Sequence, residues 1–154
     1  MVPELSKLSS GEQELMVKAP LLVCILIAGA DGNIDRKEIR KAITVVQKKQ
    51  KGFDSVAGLF KEIAQDFEDK LKIIEQAYPY EATQRTPLIV DELAGLNRLW
   101  ARLPQSFAKG YYDMLLMLAR EVAASSGGLL GMKSIGSEEA RLIKLTMIQN
   151  PVTG

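Results

Sequence analysis

The stretch LLVCILIAGADGNIDRKEIRKAITVV, residues 21–46, decides the fold. Its first part, Leu21 to Ile27, is wholly apolar, and the wider run from Ala19 to Ala30 is too short to span a bilayer and contains Pro20. It reads as a buried helix, which Pro20 either kinks or divides. Ser9 and Ser10, with Glu12 and Gln13 three residues on, offer capping-box starts for it. Beyond the glycines, Ile39, Ala42, Ile43 and Val46 recur at i, i+3, i+4 and i+7, the stripe of an amphipathic helix over about Arg36 to Gln50. The stretch is therefore a helix–turn–helix joined by Asp31-Gly32-Asn33-Ile34-Asp35.

Helix chemistry explains most of that turn. Gly32 follows the first helix, where a left-handed residue is needed and a Cβ is penalised. Asp35 is the N-cap of the second helix, with Glu38 at the third helical position in a capping-box variant, and Ile34 and Ile39 form a hydrophobic staple. Such a cap is worth about 1 kcal/mol. Asp31 is left over, because an aspartate at a helix C-terminus faces the negative end of the dipole. Asp31, Asn33 and Asp35 alternate along the turn, so their oxygens can converge on one cation. The motif opens like an EF-hand loop and then departs from it. Arg36 stands where the loop needs its sixth-position glycine, and Ala42 where it needs the bidentate glutamate. Plain capping and a shorter divalent-metal site using Asp31, Asp35 and Glu38 remain as the two readings.

Outward from this unit the pattern stays helical. Val56, Leu59, Phe60, Ile63, Ala64, Phe67, Leu71 and Ile74 mark a third amphipathic stretch with room for a break, capped by Asp54 or Ser55 and ended at Tyr78-Pro79-Tyr80. Thr86-Pro87 reads as an N-cap followed by proline at the first helical position, with Ile89, Leu93, Leu96, Trp100 and Leu103 facing inward. Pro104 opens a helix that buries Phe107, Tyr111, Met114, Leu115, Leu118 and Val122. Gly127, Gly128 and Gly131 form a loop, and a last helix is expected over Ser137 to Ile148. No period-2 strand appears. The fold class is all-α: one domain over residues 1–154, a compact bundle of six or seven helices.

The chain of 154 residues has 47% apolar and 25% charged residues, an ordinary globular composition, and its net charge of +1 gives no global pull towards nucleic acid or membrane. Histidine is absent, which removes the commonest general base, the His-dependent nucleophilic dyads and the His-rich zinc sites. Any metal site must use carboxylates, carbonyls and water. The single cysteine, Cys24, lies in the apolar run and reads as a buried small hydrophobe in a reducing compartment. The polar, acid-bearing stretch Met1 to Gln13 does not read as a secretory signal, so a cytoplasmic chain is expected.

A weak internal repeat pairs Ala28–Arg40 with Ala123–Gly127 and Ile135–Arg141. Asp31 aligns with Ser126, Gly32 with Gly127, Ile34 with Ile135, Asp35 with Gly136 and Glu38 with Glu139. The second copy has thus lost both aspartates, and Leu129 to Ser134 lengthen its loop.

On these residues the chain resembles the tellurite-resistance TerB-like family. The likeness rests on an apolar helix ending in Ala-Asp-Gly, then Ile-Asp and a glutamate-bearing helix, over Leu22 to Val46, with the degenerate copy at Ala123 to Ile143. The resemblance implies an all-helical fold of two related helix–turn–helix units and an acidic patch proposed to bind metal. It further implies a role in tellurite or general chemical-stress responses, often beside membrane partners, and the domain also occurs attached to co-chaperones. Carried over, Asp31, Asp35 and Glu38 match the acidic positions, and Glu139 is the one match in the second copy. The implied cofactor is a divalent ion such as calcium, magnesium or zinc, held chiefly by the first turn.

Other motifs take structural readings. Gly127 to Ser134 misses the phosphate-loop pattern, because Met132 separates Gly131 from Lys133 and the loop follows a helix. Arg36 to Lys51 carries seven basic residues against one acid, mostly opposite the apolar stripe, and Asp54 to Glu81 carries seven acids against three bases. The basic segment can meet an anionic membrane, RNA or an acidic partner, but its charges lie as a solvated face would, and the two faces can attract each other or a second copy. Met114, Met117, Met132 and Met147 read as core. Tyr78, Tyr80, Tyr111 and Tyr112 lack any paired base. Glu62, Asp66, Glu68 and Asp69 suit helical pairs such as Asp66–Lys70 and Glu68–Lys72 better than a glycosidase dyad. The functional expectation is a stress-associated interaction domain, not an enzyme, with a divalent metal at its acidic turn. The alternative is a metal-free adaptor recruiting a protein, not nucleic acid, through the basic second helix.

Overall fold

The computed structural model describes residues 3–30, 34–49, 55–125 and 142–151. Among the described residues, six α-helices and three short 3-10 turns make up the elements, and no strand occurs. The helices are α1 (Ser10–Ala28), α2 (Arg36–Lys49), α3 (Ser55–Ala64), α4 (Phe67–Gln76), α5 (Ala82–Ala94) and α6 (Gln105–Ala123); the 3-10 turns are Pro3–Leu5, Gly95–Arg98 and Trp100–Arg102.

α1 begins where Ser9 accepts the Glu12 amide at 3.2 Å and Glu12 Oε1 accepts the Ser9 amide at 2.8 Å, a reciprocal capping box. From Ala19 to Ala28 every residue of α1 is buried, so this half runs through the core with neighbours on all sides. α6 packs most extensively against α1 and α2, and its residues Phe107, Tyr111, Met114, Leu115, Leu118 and Val122 are all buried as their spacing predicts. Ile39, Ala42, Ile43 and Val46 give α2 its inward face. No helix among the described residues is long and apolar enough to cross a membrane.

Pro20 neither ends nor divides α1, which runs continuously through it. A proline has no N–H for the carbonyl four residues back, here that of Met16. The buried Tyr111 hydroxyl of α6 donates to that carbonyl at 2.7 Å. The bond lost inside one helix is thus made between two.

Four local expectations are corrected. α5 starts at Ala82, not Pro87. The Glu81 carbonyl accepts the Gln84 and Arg85 amides at 3.0 and 2.9 Å, and Pro87 sits inside the helix. Pro87 and Thr83, whose carbonyl it leaves free, are both exposed, so water can replace the missing bond. Secondly, this helix does not continue to Leu103: it tightens into 3-10 turns after Ala94. Thirdly, Leu142 is the last helical residue, and residues 143–148 form turns in place of the expected continuation, with Leu145 in the left-handed region at φ 48°. Finally, α1 ends at Ala28, before Ala30, at Gly29, whose φ of −93° is not left-handed. Gly29 is required for closeness: a Cβ there would lie 2.5 Å from Arg85 Nη2 and 2.8 Å from the Ile25 carbonyl. The break in the third stretch falls at Gln65 and Asp66, where Asp66 has φ 54°.

Candidate functional site

α1 and α2 do form a helix–turn–helix. Asp35 caps α2, its Oδ1 accepting the Lys37 amide at 2.9 Å and its carbonyl accepting the Ile39 amide at 3.2 Å. Ile34 is half-buried against the core and Ile39 fully buried, both on the core side of this entry. Glu38 is half-buried and already engaged. Asp31, Gly32 and Asn33 lie outside the described residues, as do Asp54, Glu139 and nearly all of the second repeat copy, with the loop of Gly127 to Ser134. Among the described residues no three metal-ligating side chains come together.

The first side of this turn is fastened by a residue that sequence reasoning missed. Arg85 of α5 is 4% exposed. Its Nη2 donates to the Gly29 carbonyl at 2.9 Å and its Nη1 to the Tyr80 carbonyl at 2.6 Å. A guanidinium at the C-terminal end of α1 answers both the orphan carbonyls and the negative end of the dipole. No local pattern announces it, because its acceptor lies 56 residues away.

The basic face of α2 meets the acids of its own chain. Arg36 pairs with Glu75 at 2.9 Å, Arg40 with Glu68, and Lys49 with Glu121 at 3.3 Å. Two of the three acids belong to α4, so the opposed charge blocks do attract each other. Glu68 therefore pairs with Arg40 instead of the expected Lys72, and Lys70 donates to the Glu62 carbonyl at 3.1 Å instead of meeting Asp66. Lys37, Lys41 and Lys48 remain exposed.

The remaining reactive side chains are occupied by the fold. Cys24 is fully buried and burial pushes its thiol up, out of the range in which a thiolate forms. Tyr111 is likewise buried, and burial raises its hydroxyl. Met114 is in the core, and Met117 and Met147 pack against it.

A concave surface lies elsewhere, along the first three turns of α1 and one face of α4. It holds about 600 Å³ and is largely apolar, with Val17, Leu21, Ile73, Ile74 and Ala77 in its lining. Ile73 is 69% exposed there, unusual for so large an apolar side chain. Two lining residues, Lys18 and Glu92, form a polar trio with Tyr78 beside the groove. Lys18 Nζ donates to Glu92 Oε2 at 2.6 Å, Tyr78 donates its hydroxyl to the other Glu92 oxygen, and the Lys18 ammonium lies 5.3 Å from the Tyr78 ring centre. Burial disfavours the charged Lys18, but its hydrogen bonds to Glu92 and Tyr78 outweigh this and hold its pKa up. Burial raises the Tyr78 hydroxyl, and its bond to Glu92 raises it further. Lys18 therefore stays an ammonium and Tyr78 a neutral phenol near neutral pH. The trio can orient a polar end of a ligand, and neither Lys18 nor Tyr78 is poised to exchange protons there.

Compared with protein-family models, with curated proteins and with solved structures, the chain finds no match.

Proposed function

We propose that this chain is a TerB-like interaction domain of tellurite and chemical-stress resistance, which acts by holding a protein partner. The observation that carries this is the apolar groove between α1 and α4 with Ile73 exposed on its wall. A concave surface of several hundred Å³ with a few fixed polar groups suits binding. The side chains on its wall support binding, since Lys18 and Glu92 are held with Tyr78 in a fixed hydrogen-bonded arrangement that can orient a polar group. The test is survival. Cells expressing the chain should tolerate more tellurite than empty-vector cells, and Ile73→Asp, an exposed change that should leave the fold intact, should abolish the gain. Equal tolerance with and without the chain sinks the stress reading. Full tolerance with I73D sinks the groove.

A second reading, a divalent cation at Asp31, Asp35 and Glu38 with Glu139 as an outside ligand, is favoured by Asp31, which capping leaves unexplained. The cap commits one oxygen of Asp35 and a carboxylate has two, so capping does not by itself remove Asp35 from a ligand set. Calorimetric titration of calcium, magnesium and zinc checks it. No heat for any ion, or equal heat with Asp31→Ala, rejects the site. Recruitment through the basic helix has less to work with, because Arg36, Arg40 and Lys49 are paired within the chain, which leaves Lys37, Lys41 and Lys48 among the described residues. Charge reversal at Lys41 and Lys48 with unchanged partners counts against it.

A further inference from the structure

Residues 142–151 lie beside the 3-10 turns that follow α5, and none of them lines the α1–α4 groove. Two successive turns shape them: the Leu145 amide donates to the Leu142 carbonyl and the Ile148 amide to the Leu145 carbonyl, each at 2.9 Å. The three apolar side chains at the ends of these turns are driven into the core, with Leu142 5%, Leu145 0% and Ile148 3% exposed. On either side of the last anchor, side chains grip the backbone. Asn97 Nδ2 donates to the Met147 carbonyl at 3.0 Å, Asn97 Oδ1 accepts the Gln149 amide at 2.7 Å, and Trp100 Nε1 donates to the Gln149 carbonyl at 2.9 Å.

An asparagine amide has the same donor and acceptor as a peptide group, so it pairs with a neighbouring backbone as another peptide would. All three bonds read main chain, so they are indifferent to the side chains at 147 and 149. The selectivity lies in apolar residues at i, i+3 and i+6. Leu145 also sits at φ 48°, a conformation costly for a branched side chain and held only while its pocket is filled. The two bonds to Gln149 are exposed to water. A segment with strain at its centre and solvent at its polar grip is built to leave as a unit.

We propose that Asn97 and Trp100 mark a peptide-docking cleft for segments with apolar residues at i, i+3 and i+6. The chain's own Leu142, Leu145 and Ile148 occupy it in cis, and a partner's segment of the same pattern takes their place in trans. This site is independent of the α1–α4 groove and of the acidic turn.

Trp100 is the only tryptophan, so its emission reports on the cleft directly. In the full chain, Leu145→Asp weakens the resident segment while leaving Asn97 and Trp100 untouched. A synthetic peptide of residues 142–151 should then bind with a saturable change in Trp100 emission, and the same peptide with Leu145→Asp should not. Adding Asn97→Ala to the L145D chain should weaken binding about tenfold. A folded L145D chain that does not respond to the peptide overturns the proposal. Hydrogen exchange on the unaltered protein decides independently of that variant. The amides of Leu145, Ile148 and Gln149 should exchange at least about a hundredfold faster than those of Leu115 and Leu118 in α6, through local opening. Equal protection would show that the segment opens only when the whole bundle unfolds, and the proposal would fall.

Discussion

Replacing Tyr111 by phenylalanine removes one oxygen and leaves the ring. The ring contacts with Trp100, at 6.1 Å between centres, and with Phe107, at 6.4 Å, can stay. What disappears is the 2.7 Å bond to the Met16 carbonyl, which Pro20 has already deprived of its helical donor. An unsatisfied buried carbonyl costs about 1–3 kcal/mol. For a domain of this size that is a fall in Tm of roughly 2–4 °C per kcal/mol. The diagnostic measurement is a double-mutant cycle by urea unfolding. Pro20→Ala restores an N–H to the Met16 carbonyl from within α1, so in that background Tyr111→Phe should cost less than about 1 kcal/mol. If Y111F costs the same with and without Pro20, the carbonyl is not the reason for the tyrosine. If Y111F is silent in the unaltered chain, the bond contributes nothing.

Three further expectations rest on other contacts. Arg102 hydrogen-bonds Glu12 and the Ser9 amide adds to it, holding the Glu12 carboxyl down at about 2 from a usual 4.5; because the folded value is the lower one, its stabilising effect is present above the ordinary carboxylate range and is lost as pH falls towards 2. A carboxyl-carbon NMR titration should show this midpoint moving up in Arg102→Ala, and an unmoved midpoint would contradict the pairing. Gly29→Ala places a Cβ 2.5 Å from Arg85 Nη2 and should destabilise by about 1–3 kcal/mol, with Arg85→Ala relieving part of the clash; a neutral G29A in thermal unfolding would refute the close approach. Asp66→Gly should be neutral or stabilise by up to about 1 kcal/mol, whereas Asp66→Val should destabilise clearly, since φ 54° suits only the first; equal melting temperatures would remove the left-handed junction.

Much of the fold is written locally. The capping box at Ser9 and Glu12, the stripe of α2 and the inward face of α6 each lie within one helix, and each is found as expected. Errors arose where a local rule competed with distant contacts. Thr86-Pro87 looks like a helix start, but Arg85, one turn into α5, is anchored on Gly29 and Tyr80, and exposed Pro87 is tolerated inside the helix. Leu145 looks like part of a helical stripe, yet Asn97 and Trp100 capture the backbone just beyond it and a turn forms instead. The α1–α4 groove could not be read at all. Lys18 and Glu92 are 74 residues apart, and an exposed Ile73 is indistinguishable in sequence from a buried one. At the acidic turn the cap at Asp35 was legible because capping is a neighbour effect.

Pro20 has a bearing on how the chain chooses its arrangement. α1 and α6 are both 19 residues long, and apolar helices of equal length can slide past one another at small energetic difference. Here only one carbonyl of α1 has been stripped of its donor by a proline, and one buried hydroxyl of α6 answers it. A slip by one helical turn, about 5.4 Å, would strand both groups in an apolar interior. The proline thus works as an index mark: it penalises every alignment of the two helices except the one in which Tyr111 arrives beside Met16.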